Sequence, residues 1–233
     1  MEKILVYKYK FVFNESIEKE FEIKIESDSL NIIKDENDNL PEWTLLENFK
    51  CSNCPLDSNE VKHCPVATNL VDIIEFFSDI PSYEEVRIYV ESSDRNYFKD
   101  SSVQDGVSSF VGILMTTSGC PVLGKLKPLV RYHLPFASLE ETEFRVFAMY
   151  SLAQIAKLKL GEKPDFDMVG LKHIYEEILK TNLNIASKIA DVEMKDTSIN
   201  ALVGLNNFAD SVSFSLDEDG LREYANLLSP LME

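Results

Sequence analysis

The four cysteines of the chain are the residues whose spacing most clearly indicates chemistry. Cys51 and Cys54 form a Cys-x2-Cys pair. Cys64 follows after nine intervening residues, and Cys120 lies much further along the chain. In a cytosolic chain, a Cys-x2-Cys pair more often binds a metal or takes part in redox chemistry than forms a structural disulfide. The sequence therefore predicts one metal centre, with these four cysteines as its ligands.

Prolines beside the cysteines bear on which metal would be bound. A proline directly follows Cys54, Cys64 and Cys120. Pro55 cannot donate a backbone hydrogen bond to a thiolate, a bond that zinc knuckles usually provide after the second cysteine. Cys-Pro is common at the last ligand of bacterial iron–sulfur motifs. The prolines therefore favour an iron–sulfur cluster over a structural Zn²⁺ ion, with a role in redox or metal sensing.

Two other interpretations of the cysteines stay open. Free cysteine is among the residue types most often found in protein cores, so some of the four could be ordinary buried thiols. A thioredoxin-like redox pair at Cys51 and Cys54 is disfavoured, because the pair follows a loop and no strand–helix–strand pattern surrounds it.

A second group of chemically versatile side chains lies between residues 95 and 145. His133 and Glu141 are candidates for a general base and the group that orients it. Arg131, Arg145 and Arg95 are candidates for binding an anionic substrate. This group supports an alternative function, a metal- or thiol-dependent enzyme with an anion-binding site around His133 and Arg131. No recognised catalytic motif is present, so a buried imidazole and structural ion pairs remain the competing interpretation.

Hydrophobic periodicity indicates which elements position these residues. Alternating apolar residues predict an antiparallel hairpin in the first 25 residues and a third strand over 84–92. Helical spacing and capping signals predict helices from Pro65, over 103–117, after the Ser138/Glu141 capping box and over 168–192, followed by two shorter helices. The sequence predicts an α+β fold. A small antiparallel sheet, the N-terminal hairpin plus one further strand, packs against a layer of about five or six helices.

Length, composition and charge limit the classes of function. The 233 residues predict a single domain over 1–233, with a strand-rich and cysteine-loop part at 1–100 and a helical part at 101–233. A formal net charge of −17 argues against a nucleic-acid partner. No apolar run approaches the roughly 20 residues of a membrane span and no leader is apparent, which predicts a cytoplasmic protein without a membrane role.

A third possible function is that of an acidic protein–protein interaction module, whose helices after Ser138 bind a protein partner.

Several segments together resemble a known family. They are PEWTLL, CSNCPL, HCPVATNL, TTSGCPVLGKLKPLVRYHLPFASLEETEFR and DTSINALVGLNNFAD. The resemblance is to an uncharacterised bacterial family, domain of unknown function 6901, and it spans nearly the whole chain. It implies a stand-alone cytoplasmic protein of one domain. Because no activity is assigned to the family, the resemblance supplies no chemistry.

Overall fold

A computed structural model describes residues 4–14, 17–34, 39–192, 197–217, 222 and 224–232. The fold is α+β, as predicted, with one five-stranded antiparallel sheet and eight α-helices among these residues. The sheet therefore has two strands more than predicted, and the helices are more numerous. The strands are β1 (Ile4–Asn14), β2 (Ile17–Glu26), β3 (Ile32–Ile33), β4 (Glu85–Ser92) and β5 (Asn96–Ser102). The helices are α1 (Leu46–Phe49), α2 (Pro65–Phe77), α3 (Val103–Thr117), α4 (Lys127–Arg131), α5 (Leu139–Lys159), α6 (Val169–Ala190), α7 (Thr197–Asp217) and α8 (Ala225–Leu228).

The sheet has the order β3-β2-β1-β4-β5. The predicted hairpin is β1 with β2, and the predicted third strand is β4, which pairs with β1. The two strands absent from the prediction lie at the edges. Neither strand shows the alternation of apolar and polar residues that predicts a strand. β3 has only two residues, and β5 is mostly polar and exposed.

Local signals set the ends of the long helices. α3 has the bounds that its apolar spacing predicts. α5 begins with the predicted capping box, in which the Ser138 hydroxyl accepts from the Glu141 amide and the Glu141 carboxylate accepts from the Ser138 amide. It ends just before Gly161, whose φ of +80° is accessible to glycine at little cost. Among the described residues, no helix has the length and apolarity that would let it cross a membrane.

One face of the sheet is buried beneath α2 and α3. An aromatic cluster fills this interface and is formed by Tyr9, Phe11, Phe21, Phe76, Phe77 and Phe110. Phe110 of α3 lies 5.1 Å from Tyr9 and 5.0 Å from Phe21, measured between ring centroids. The cluster therefore fixes which face of α3 meets the sheet and which face is left for the neighbouring helices.

Gly106 allows α3 to lie close to the sheet. A Cβ atom at this position would lie 2.7 Å from both Ile88 Cδ1 and Phe11 Cε1, and both side chains are fully buried. We expect Gly106→Ala to lower the free energy of unfolding by about 2 kcal/mol, because overpacking outweighs the gain in helix propensity. Gly112→Ala in the same helix is the matched control, since its Cβ would meet only Leu205, at 3.3 Å. Urea denaturation of both variants checks this, and equal stabilities would contradict it.

Candidate functional site

A cavity of about 530 Å³ lies where the other face of α3 meets α6 and α7. Three helices contribute residues at spacings that place side chains on one helical face. These are Ser108, Gly112 and Thr116 of α3, Tyr175, Ile178 and Asn182 of α6, and Asn200, Gly204 and Phe208 of α7. Helix α5 and the segment between α4 and α5 add Arg145 and His133. The cavity is thus built almost wholly from the helical part of the chain.

Four polar side chains on the cavity wall have no hydrogen-bond partner among the described residues. Ser108, Thr116, Tyr175 and Asn182 are 9%, 6%, 4% and 4% exposed. Within the part of the chain that the structure describes, their side chains make no hydrogen bond. A polar group in a folded protein that has no protein partner is satisfied by water or by a ligand wherever either can reach it. The polar atoms of these four side chains stay accessible from the cavity, so a molecule inside the cavity can reach them.

His133 is held by a chain of hydrogen bonds that begins in the sheet. Tyr9 Oη lies 2.6 Å from His133 Nε2 and 2.9 Å from Ser109 Oγ. Burial, and then the positive charge of Arg145, lowers the pKa of His133 to about 3, so the imidazole is neutral near pH 7. Because Tyr9 has one hydroxyl proton, it donates either to the imidazole or to Ser109. The tautomer of His133 and the direction of the Ser109 hydroxyl are therefore coupled.

Arg145 also lines the cavity, without forming an ion pair. Its Nη2 donates to the carbonyl oxygens of Leu129, at 2.9 Å, and Tyr132, at 2.8 Å, near the C-terminal end of α4. No carboxylate of the described residues forms a salt bridge with it. Burial lowers the pKa of the Arg145 guanidinium. The site thus contains a partly desolvated cation that is compensated by hydrogen bonds to carbonyl oxygens and by the nearby charge of Glu141, without an ion pair.

The other candidates for catalysis and anion binding lie away from the cavity wall. The Glu141 carboxylate accepts from the Ser138 amide at 2.8 Å as part of the capping box. Arg131 is exposed and donates to Ser27 Oγ at 2.6 Å, and Arg95 lies exposed in the turn between β4 and β5. Of the five residues proposed for these roles, the structure brings His133 and Arg145 to one cavity.

The prediction of a metal centre at the cysteines is wrong. No group of three or more His, Cys, Asp or Glu side chains among the described residues could hold a metal ion. Cys51, Cys54, Cys64 and Cys120 do line one cavity, but its volume of about 10 Å³ is hardly enough for one water molecule. All four are free thiols. They belong to the hydrophobic core or pack against it, so neither an iron–sulfur cluster nor Zn²⁺ is supported.

Packing in the core gives the physical reason for this correction. Burial raises the pKa of Cys51 to about 12 and also raises those of Cys64 and Cys120. Thiols packed in a core in this way behave as small apolar side chains. Sequence spacing alone cannot distinguish a metal ligand from such a thiol, because burial decides between them.

Sequence reasoning missed most of the cavity wall, although some signals were present. Asn182 occupies a position in the apolar stripe of α6, between Ile178 and Ile185, where a polar residue is unexpected. Thr116 follows the apolar run Ile113–Met115 near the end of α3 and is buried with it. The role of Tyr9 had no local signal, because it lies in a strand far from His133 in the sequence.

Comparison with known proteins identifies a family without assigning a function. No curated protein and no solved structure matches the chain. The model of one family, described as a domain of unknown function (DUF6901), matches residues 6–229 and so confirms the resemblance seen in the sequence. The chain therefore belongs to this family of domains of unknown function.

Proposed function

We propose that this protein binds a small organic molecule in the cavity between α3, α6 and α7. The observation that carries the proposal is the set of buried polar side chains without partners on the cavity wall, Ser108, Thr116, Tyr175 and Asn182. A volume of about 530 Å³ lies within the range of about 300–1,000 Å³ that is typical of ligand pockets. A bound molecule would satisfy groups that the protein leaves unpaired.

The wall favours a ligand with an apolar body and a few hydrogen-bonding groups. Ile113, Leu123, Ile178 and Phe208 supply apolar surface. Burying apolar ligand area against such side chains contributes about 25 cal/mol per Å² before the costs of association. The unpaired hydroxyl and amide groups would then fix the orientation of the ligand and select its chemistry.

Binding is better supported than catalysis. Nε2 of His133 is already bonded to Tyr9, and the Glu141 carboxylate is engaged in the capping box. Both groups therefore already have hydrogen-bond partners within the protein, and Glu141 does not line the cavity. Four free thiols are compatible with a reducing compartment, so we retain the cytoplasm as the proposed location.

Two adjacent threonines provide the test of this proposal. Thr116 has an unpaired hydroxyl on the cavity wall, whereas the Thr117 hydroxyl donates to the Ile113 carbonyl oxygen at 2.8 Å. We expect Thr116→Val to raise the free energy of unfolding of the empty protein by up to about 1 kcal/mol, because it replaces a hydroxyl that has no partner among the described residues with a methyl group in a largely apolar wall. Thr117→Val should be neutral or destabilising by up to about 1 kcal/mol, because it removes a formed hydrogen bond.

The same pair of variants also tests binding. A library of small organic compounds is screened by thermal shift against the wild type, and the compounds that raise its melting temperature are then tested on both variants. Thr116→Val should reduce their stabilising effect, while Thr117→Val should preserve it. Equal effects of the two substitutions on stability and on binding would contradict a ligand site on this wall.

A further inference from the structure

We propose that the ligand carries a carboxylate group, which the Arg145 guanidinium and the Tyr175 hydroxyl bind together inside the cavity. This inference rests on the proposed binding function and names the chemical class of the ligand. It concerns one region of the wall, where α5, α6 and the segment after α4 each contribute one polar side chain: Arg145, Tyr175 and His133.

These three side chains are close enough to influence one another electrostatically. The charge of Arg145 opposes the increase that burial causes in the Tyr175 pKa. The same charge adds to the effect of burial in lowering the pKa of His133. The three groups come from separate elements, and each lines the cavity. Arg145 therefore has two polar neighbours on the wall, while the nearby Glu141 carboxylate lies off the wall and is engaged in the capping box.

The hydrogen-bonding capacity of Arg145 and Tyr175 is only partly used. A guanidinium has five N–H donors, and in Arg145 only Nη2 has partners among the described residues. Its Nε and Nη1 are left without acceptors there. The Tyr175 hydroxyl is also unpaired, on a side chain that is 4% exposed. A partly buried cation beside an unpaired hydroxyl presents several donors and one positive charge, which an anionic acceptor would satisfy together.

The charges of the wall favour a carboxylate over a phosphate. Of the three side chains His133, Tyr175 and Arg145, only Arg145 carries a formal charge near pH 7, because His133 is neutral. Two further charged residues on the wall, Lys99 and Asp105, have opposite signs. One guanidinium balances a carboxylate monoanion and matches its planar geometry, whereas a phosphate dianion would keep an uncompensated charge. The net charge of −17 would further disfavour that excess negative charge.

The test uses pairs of probes that differ in charge but share an apolar body. Isothermal titration calorimetry near neutral pH compares decanoate with 1-decanol, and 1-naphthoate with 1-naphthalenemethanol. For the wild type we expect the carboxylate of at least one pair to bind about tenfold or more tightly than its alcohol. Arg145→Met should remove this preference by weakening carboxylate binding about tenfold, with the affinity for the alcohol within about threefold of the wild-type value.

Control variants separate a binding role from a structural one. Arg131→Met also removes an arginine charge, but from an exposed position away from the cavity wall, and should leave the preference unchanged. Tyr175→Phe keeps the apolar ring and should weaken carboxylate binding several-fold. If Arg145→Met fails to fold, Arg145→Lys replaces it in the test. Lysine keeps the positive charge but lacks the planar guanidinium, which can bind a carboxylate through two hydrogen bonds. Arg145→Lys should then bind the carboxylate more weakly than the wild type does.

Each outcome has a distinct meaning. Equal affinity of the wild type for the carboxylate and the alcohol in every pair that binds would overturn the carboxylate inference and leave the binding function intact. A carboxylate preference that Arg145→Met leaves unchanged, or carboxylate affinity that stays at the wild-type value in both Arg145→Lys and Tyr175→Phe, would overturn the assignment of these residues. Binding of none of the four probes would also overturn the inference, and the comparison of Thr116→Val with Thr117→Val would still decide the proposed function.

Discussion

Lowering the pH from about 6.5 to about 4 will reduce the free energy of unfolding by about 3 kcal/mol through His133 alone. The pKa of this imidazole is about 3 in the folded protein, compared with 6.5 for an unperturbed histidine. Between these two pKa values, His133 is therefore protonated in the unfolded chain but not in the folded protein. The contribution of His133 to the free energy of unfolding is complete above pH 6.5, declines as the pH falls and is lost below about pH 3.

The groups around His133 do not titrate in this range. Burial raises the pKa values of both Tyr7 and Tyr9, which lie against the imidazole ring, so both phenols stay protonated. Arg145 remains charged, because a guanidinium keeps its proton in proteins. The acid sensitivity assigned to His133 therefore comes from the cost of charging a desolvated imidazole beside a fixed positive charge.

Comparison with His133→Gln isolates this effect from the titration of carboxylates elsewhere. The glutamine amide can maintain a hydrogen bond with Tyr9 and has no ionisable group. Urea denaturation between about pH 4 and pH 8 should give stability curves that converge as the pH falls, because only the wild type loses the histidine contribution. Parallel curves for the two proteins would show that His133 titrates normally and is not buried as described.

The elements that carry regular patterns could be predicted from the sequence. α3 shows its apolar stripe and ends at a Ser-Gly pair, and α5 begins with Ser138 and Glu141 in a capping box. These signals are local, so they need no knowledge of the fold. β5 has no such signal, because most of its residues are exposed and its pairing with β4 depends on the neighbouring strand.

The functional site was less predictable, because its chemistry depends on long-range contacts. Residue type alone suggested His133 and Arg145. The neutral state of His133, however, depends on burial and on the charge of Arg145. The partnerless state of Tyr175 and Asn182 is visible only after the helices are packed, since either could have found a partner in another arrangement. The sequence therefore indicated candidate residues without indicating which of them face a common cavity.

The aromatic cluster under α3 should be essential for stability. Phe77 is fully buried, and its ring centroid lies 4.8 Å from that of Phe76, 5.2 Å from that of Phe11 and 5.9 Å from that of Phe21. We expect Phe77→Ala to lower the free energy of unfolding by about 4 kcal/mol, because it removes buried apolar surface and leaves a cavity among rigid rings. Urea denaturation measures this loss. Phe98→Ala is the matched control, since this side chain is 70% exposed and its loss should cost less than about 1 kcal/mol.

The effect of Phe77→Ala on the cavity should be indirect. Phe77 packs on Phe21, which packs on Phe110 of α3 next to Ser109, so the cluster supports the helix from the sheet side. Under conditions where the variant remains folded, we expect its affinity for a bound probe to stay within about threefold of the wild-type value, because the wall residues themselves are unchanged. A loss of stability below about 1 kcal/mol would show that the cluster is not the main support of α3. The packing of α3 against α7 at Gly204 and Gly112 would then have to hold the helix in place.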